Sequence, residues 1–121
     1  KISVMLKRGI MKKLICMILM IVPSVVFAIE EPSATSLIKS IASYSEYGGG
    51  DVHFTLETNG TVCASGYFLK KTDPGFDANL SIVLAAYYAK TPITAHGETA
   101  QRWAGSSSGY FCHINSIGVG G

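Results

Sequence analysis

The sequence predicts a mostly β domain with one α-helix, built as a five-stranded Greek-key barrel with one disulfide. Three observations support this prediction. Short segments alternate apolar and polar residues, one longer segment has helical spacing, and two cysteines follow an apolar segment at the start of the chain. Residues 29–121 are long enough for a single small domain.

The first 28 residues have the composition of a secretory signal peptide. Four basic residues between positions 7 and 13 precede an apolar run that ends in the small-residue pattern of Val26 and Ala28. A transmembrane anchor is the alternative, but the run is short and no basic flank follows it. We therefore expect cleavage after Ala28 and a secreted or periplasmic protein that is not attached to the membrane.

Loss of this leader reverses the net charge. The whole chain has ten basic and eight acidic residues, for a formal charge of +2. Five of the basic residues lie in the leader and all the acidic residues follow it, so residues 29–121 carry −3. A slightly acidic domain lacks the basic surface with which proteins bind nucleic acid, so no nucleic-acid partner is expected.

Two cysteines remain after the leader, Cys63 and Cys112. Because export places them in an oxidising compartment, we expect them to form a disulfide. On the chain-entropy model such a bridge stabilises a small domain by about 4 kcal/mol. The alternative is that both cysteines are buried free thiols.

The order of the predicted elements defines the barrel. Alternating apolar residues predict a strand over residues 51–57, and Asn59 with Gly60 predicts a type I′ hairpin turn after it. Asp73 is expected to cap the helix, with Pro74 as its first residue, and the helix is expected to end near Lys90, with Tyr87 in the core. Further strands are predicted over residues 61–69, 92–98 and 110–119, the last with a bulge or an early end between Ile114 and Ile117.

Residues 33–44 fit both a strand and a helix. The three glycines that follow favour a strand, because they suit a connection between strands. With that strand the order is three strands, one helix and two strands, which is the order of the OB-fold. In that fold the third strand lies beside the fifth, so a bridge from Cys63 to Cys112 would join the strands where the barrel closes.

The motifs predict no enzyme, no metal site and no cofactor. Residues 105–109, GSSSG, match the G-x-S-x-G pattern of serine hydrolases. That pattern requires a helix after the serine and a downstream acid, whereas here a predicted strand follows and no acidic residue lies beyond Glu98. A small hydrolase that uses Ser107 is retained only as an alternative.

Exposed aromatic side chains predict a binding surface instead. OB-folds bind ligands on the face of strands two and three and on the loops after strands one and four. The candidate ligand-binding residues on that face are Tyr47, His53, Thr55, Tyr67, Arg102 and Trp103. Trp103 lies in a polar predicted loop, residues 99–109, where it either contacts a sugar or a protein or folds back over the open end of the barrel.

Several segments resemble a group of short exported proteobacterial proteins with no assigned activity: GGGDVHFTL, DPGF, LAAYYAKTPI and YFCHINSI. The resemblance covers roughly residues 38–117. More distantly, the layout is similar to the B subunits of subtilase-type and pertussis-type AB5 toxins. That resemblance implies a disulfide-bonded OB-fold that forms a homo-oligomeric ring and binds cell-surface glycans.

The expected function is an exported, non-enzymatic module that binds a glycan or a protein partner. The alternative is a periplasmic structural or inhibitory protein that acts through protein contact alone.

Overall fold

Six strands and one α-helix make up the computed structural model, which describes residues 29–120. The predicted signal peptide, residues 1–28, lies outside the described residues. The elements are β1 (Glu30–Pro32), β2 (Ile38–Ser43), β3 (Val52–Leu56), β4 (Gly66–Leu69), α1 (Phe76–Ala89), β5 (Ile93–Arg102) and β6 (Phe111–Val119). No helix in this part of the chain is long and apolar enough to cross a membrane.

All six strands belong to one mixed sheet, in the order β1-β5-β6-β4-β3-β2. Neighbouring strands are antiparallel except β4 and β6, which are parallel. The mostly β class with one helix is therefore confirmed, and so is the contact between the predicted third and fifth strands. The helix packs on β2, β4 and β6, and its buried Val83 contributes to the core.

The predicted count of five strands is wrong. The additional strand, β1, precedes the predicted segment 33–44, and β2 occupies only the second half of that segment. Two buried serines, Ser33 and Ser36, lie between β1 and β2. The Ser33 hydroxyl accepts the Ala95 amide and the Ser36 hydroxyl accepts the Thr58 amide, both at 2.9 Å. These bonds interrupt the segment, so it does not form one continuous strand. As a result, β1 pairs with β5 whereas β2 pairs with β3.

The disulfide between Cys63 and Cys112 is confirmed, with 5.3 Å between the Cα atoms. Cys63, however, lies in the loop before β4 rather than in a strand. The predicted type I′ turn does not form there, since Gly60 does not have the positive φ that the turn requires. Instead, the Asn59 side chain accepts the Leu56 amide at 2.9 Å and opens the turn into a longer loop.

The helix begins at Phe76, two residues after Pro74, the predicted first helical residue. Asp73 does not cap it, because the Asp73 carboxylate binds His113 instead. The end is as predicted: Lys90 adopts a left-handed conformation with φ of 52° and terminates the helix. The prediction that Tyr87 lies in the core is wrong, since Ala86 takes the inward position and Tyr87 is exposed.

The β5–β6 pair differs from the prediction at one end. The predicted bulge is present: the register shifts between the pairs His96–Ser116 and Gly97–Ile114. β5 continues to Arg102 instead of ending at residue 98, so the first four residues of the predicted polar loop belong to a strand. This extension places Trp103 directly after the strand, where its ring packs against Phe68 and Phe111.

Candidate binding site

The site centres on Trp103, which follows β5 and has only 5% of its surface exposed. Its ring lies 5.0 Å from that of Tyr44, 5.4 Å from Tyr47 and 5.3 Å from His53, measured between centroids. The ring of Phe111 lies 5.9 Å away at a steep angle. We call Tyr44, Tyr47, His53, Trp103 and Phe111 the aromatic cluster. Such tilted and edge-on contacts stabilise aromatic groups beyond the area they bury.

A buried carboxylate fixes the orientation of the indole. Trp103 donates its Nε1 hydrogen to Asp51 at 3.1 Å. The other Asp51 oxygen accepts the backbone amide of Lys71 at 2.9 Å. Asp51 is 4% exposed, so these two bonds replace much of its hydration. Three distant parts of the chain therefore meet at one side chain.

The glycine run before Asp51 makes this arrangement sterically possible. Gly48, Gly49 and Gly50 all have positive φ, at 63°, 79° and 114°. A Cβ on Gly48 would lie 2.0 Å from an Asp51 oxygen. Only glycine combines that backbone conformation with that approach. The turn also presents Tyr47, whose side chain is half exposed.

A cleft of about 460 Å³ opens beside Trp103. Its deepest groups are buried: the carboxylate of Asp51 and the rings of Phe68 and Trp103. The remaining lining residues form a rim of mixed polarity: Tyr47, Gly48, Lys70, Thr72, Ala100, Gln101, Arg102 and Ala104. The cleft thus combines an aromatic floor with hydrogen-bonding groups around its edge.

His53 belongs to the aromatic cluster and contacts the ring of Trp103, which lines the cleft. Its Nε2 lies 2.9 Å from the Tyr44 hydroxyl, and its ring is 4.5 Å from that of Phe111. The other ring nitrogen, Nδ1, is buried without a hydrogen-bond partner. Burial lowers the pKa of His53 below its ordinary value of 6.5, so the ring is neutral at pH 7.

The structure brings together four of the six predicted binding residues. Tyr47, Arg102 and Trp103 line the cleft, and His53 contacts the ring of Trp103. The expectation that Trp103 is exposed is wrong; its ring folds back against the sheet, where Asp51 accepts its N–H. That it covers the open end of a barrel stays a prediction. Arg102 directs its guanidinium at the Gly109 carbonyl, at 2.7 and 3.0 Å, and so holds its own loop in place.

The other two predicted residues lie elsewhere. Tyr67 is completely buried, and its hydroxyl accepts the Gly60 amide at 3.1 Å, so it has no surface to offer a ligand. All four residues of β4 are buried, because both faces of the strand are covered: Tyr67 and Leu69 face the core, and Phe68 lies against the rings of Trp103 and His113. The Thr55 hydroxyl donates to the Ser65 carbonyl at 2.9 Å and faces a different loop.

Sequence reasoning missed Asp51, Phe68 and Lys70. For Asp51 a signal was present, since three glycines directly before an acidic residue indicate a turn that packs closely on that side chain. Phe68 and Lys70 left no such signal. Their place in the cleft depends on the pairing of β4 with β6, which a local pattern does not encode.

The serine-rich loop does not have the geometry of a nucleophile elbow. Residues 105–109 are followed directly by β6 rather than by a helix. His113, the histidine downstream, directs both ring nitrogens at the carboxylates of Glu98 and Asp73. Within residues 29–120 no group of three or more His, Cys, Asp or Glu side chains is placed to hold a metal ion.

Comparisons with known proteins do not extend this description. No protein-family model matches the chain, and searches of curated proteins and of solved structures found no similar protein.

Proposed function

We propose that this chain is an exported, non-enzymatic module that binds a glycan in the cleft beside Trp103. The observation that carries the proposal is the combination, in one concave site, of aromatic side chains with a rim that includes several hydrogen-bonding groups. Its volume of about 460 Å³ lies within the range of small-ligand pockets. A sugar ring offers an apolar face to an aromatic ring and hydroxyls to polar neighbours, so it matches both parts of the site.

The rim residues supply the bonds that such a ligand needs. The ring of Tyr47, half exposed beside the cleft, offers an apolar face. Lys70, Thr72 and Gln101 place an ammonium, a hydroxyl and an amide around the opening. Arg102 contributes mainly its stem, since its guanidinium is bound to the loop that ends at Gly109.

We also propose that the sheet closes into an OB-like barrel. Support comes from the segment between β1 and β2, which continues the bonding to β5. Ser33 donates to the Ala95 carbonyl at 2.8 Å, and Ser36 exchanges two 2.9 Å bonds with Ile93. The ladder along β5 thus reaches to within two residues of β2. In a closed barrel the cleft would lie beside the loop after the fourth OB strand, a usual binding position of this fold.

A glycan array with the purified, disulfide-bonded protein tests the binding proposal, followed by titration calorimetry with the best ligand. Tyr47→Ala removes an exposed rim residue and should weaken binding at least about tenfold, the equivalent of about 1.4 kcal/mol. The matched control is Tyr88→Ala, on the opposite side of the fold, where the tyrosine is 79% exposed. Absence of binding to any glycan, or equal affinities for wild type and Tyr47→Ala, would contradict the proposal.

A second candidate function is protein contact through α1, and a specific surface favours it. Leu84, Tyr87 and Tyr88 are exposed on the helix and border two neighbouring grooves of about 510 and 430 Å³. Contiguous exposed apolar side chains are typical of protein interfaces. Tyr88→Ala would then abolish either a stoichiometric complex or a homo-oligomer detected by light scattering, and Tyr47→Ala would leave it intact.

A further inference from the structure

His113, on β6, lies between two carboxylates that come from different parts of the fold. Its Nδ1 is 3.0 Å from Oε2 of Glu98, on β5. Its Nε2 contacts Oδ2 of Asp73, in the connection between β4 and α1. The three side chains are largely buried, with exposed fractions of 13%, 19% and 28% for His113, Glu98 and Asp73. The ring of Phe68 lies 5.3 Å from the imidazole.

Only the protonated form of His113 satisfies both contacts. A neutral imidazole has one N–H donor and one nitrogen lone pair, whereas the imidazolium has two donors. Ionised carboxylates only accept hydrogen bonds. When the imidazolium loses a proton, one ring nitrogen carries a lone pair instead of a hydrogen. That lone pair then faces a carboxylate oxygen at hydrogen-bond distance, and the contact becomes repulsive.

We propose that Asp73, His113 and Glu98 form a pH-operated clasp that holds the β4–α1 connection against the sheet and releases Asp73 when His113 loses its proton. The imidazolium joins the connection to β5 through two charge-assisted hydrogen bonds. After deprotonation the ring keeps one donor and retains one carboxylate.

Asp73, rather than Glu98, is the carboxylate that leaves. Glu98 is held in β5 by backbone pairing, and its second oxygen accepts a hydrogen bond from the Asn115 amide at 3.3 Å. Asp73 lies in a loop, and its backbone amide donates to the carbonyl of Lys70 in the same loop at 3.0 Å. At this residue the contact between the Asp73 carboxylate and His113 anchors the connection to the sheet. The loop therefore moves at lower cost than the strand.

The charges around the ring set the direction of the switch. Burial alone would lower the pKa of His113, but the hydrogen bonds and negative charges of Glu98 and Asp73 outweigh burial and raise that pKa above 6.5. Across the β1–β5 pair, Glu30 lies opposite Glu98 but is bound to His96 at 3.0 Å. The contribution of the clasp is thus complete below pH 6.5 and is lost as the pH rises through the raised pKa.

Release of the clasp would also change the shape of the cleft. Lys70 and Thr72 belong to the connection that Asp73 anchors together with the bond from the Lys71 amide to Asp51, and both line the rim. Phe68, which contacts the imidazole, lies in the floor. The pH at which His113 loses its proton should therefore change one wall of the cleft, whatever ligand the cleft accepts.

Hydrogen exchange tests the clasp on the purified, disulfide-bonded protein. Protection factors for the amides of residues 70–78 other than Pro74, corrected for intrinsic exchange, should fall at least about tenfold between about pH 6 and about pH 9 in the wild type. His113→Gln cannot carry the charge and should show low protection without a pH step. The matched control His96→Gln removes the other carboxylate-paired histidine and should keep the wild-type step.

Protection of residues 70–78 that does not change with pH in the wild type would overturn the proposal. So would a pH step that persists in His113→Gln. A second measurement needs no variant: the ¹⁵N shifts of the His113 ring should show two protonated nitrogens at about pH 6. A neutral tautomer there would also contradict the clasp.

Discussion

The indole N–H of Trp103 donates to the carboxylate of Asp51 across 52 residues of chain, at 3.1 Å, and both side chains are buried. This bond joins the glycine turn after β2 to the loop between β5 and β6. It also explains why Trp103, which follows a polar segment, lies buried in the floor of a cleft instead of projecting into solvent.

Asp51→Asn should destabilise the protein by about 1–3 kcal/mol, although the shape of the side chain is nearly unchanged. The carboxylate accepts two N–H groups, from Trp103 and Lys71, on different oxygens. An amide has one oxygen, so its NH₂ group must face one of these donors. Urea unfolding followed by tryptophan fluorescence measures the difference.

The matched control for this substitution is Asp77→Asn, an exposed acidic residue in the first turn of α1. It should cost only a few tenths of a kcal/mol, through a weaker interaction with the helix dipole. If Asp51→Asn were no more destabilising than Asp77→Asn, the bond to Trp103 would not hold the site together.

Gly97→Ala should destabilise the protein by about 1–3 kcal/mol. A Cβ at position 97 would lie 2.8 Å from the Cys63 sulfur and 2.8 Å from a ring carbon of Tyr67, both fully buried. The cost arises from overpacking, because neither neighbour can move away in a closely packed core. Thermal unfolding by circular dichroism measures it.

Gly118 provides the comparison on the neighbouring strand. A Cβ there would meet nothing within 4 Å, and the residue is exposed. Gly118→Ala should therefore be neutral or slightly stabilising, because alanine restricts the unfolded chain. If Gly97→Ala and Gly118→Ala reduced stability equally, the region around the disulfide would not be tightly packed.

Removal of the disulfide should cost about 2–5 kcal/mol, as is typical of small disulfide-bonded domains. The bridge closes a separation of 49 residues and joins the loop before β4 to β6. The double variant Cys63→Ala with Cys112→Ala, compared with wild type in urea, measures this loss. A stability equal to that of the wild type would mean that strand pairing alone fixes the loop.

His53 should make the protein less stable as the pH falls below 6.5. Its folded-state pKa is lowered by burial, so the unfolded chain binds the proton more readily. The contribution of the neutral ring is complete above pH 6.5 and is lost as the pH falls through the lowered pKa. His53→Phe retains an aromatic ring and removes the unpartnered Nδ1, so it should reduce the acid loss.

The urea midpoint measured from about pH 7 to about pH 5 tests this prediction, above the range where most carboxylates titrate. His96→Gln is the control, since His96 lies outside the aromatic cluster and pairs with Glu30. If wild type and His53→Phe lost the same stability as the pH falls, groups other than His53 would cause that loss.

Local sequence patterns and the number of cysteines after the predicted leader predicted part of this fold well. The alternation over Val52–Leu56 appears directly as alternating burial along β3. Cys63 and Cys112 were paired correctly, because only these two cysteines follow the predicted leader. The bulge near Asn115 was visible as a slip in the apolar phase of the last strand.

The errors arise where a distant side chain competes with a local signal. Asp73 has the sequence of a helix cap, but His113, 40 residues away, binds its carboxylate. Ser33 and Ser36 interrupt the predicted first strand through bonds to backbone groups around Thr58 and Ala95. The position of Trp103 depends in the same way on Asp51, so the cleft could not be assembled from the sequence alone.

The central claim is that a glycan binds in the cleft, and the most direct test is a ¹H–¹⁵N NMR titration with the best ligand from the array. The indole N–H resonance of Trp103 should shift together with the amides of Tyr47–Gly49, Lys70 and Gln101, which surround the cleft. Shifts confined to the α1 surface around Tyr88, or no shifts at saturating ligand, would contradict the claim.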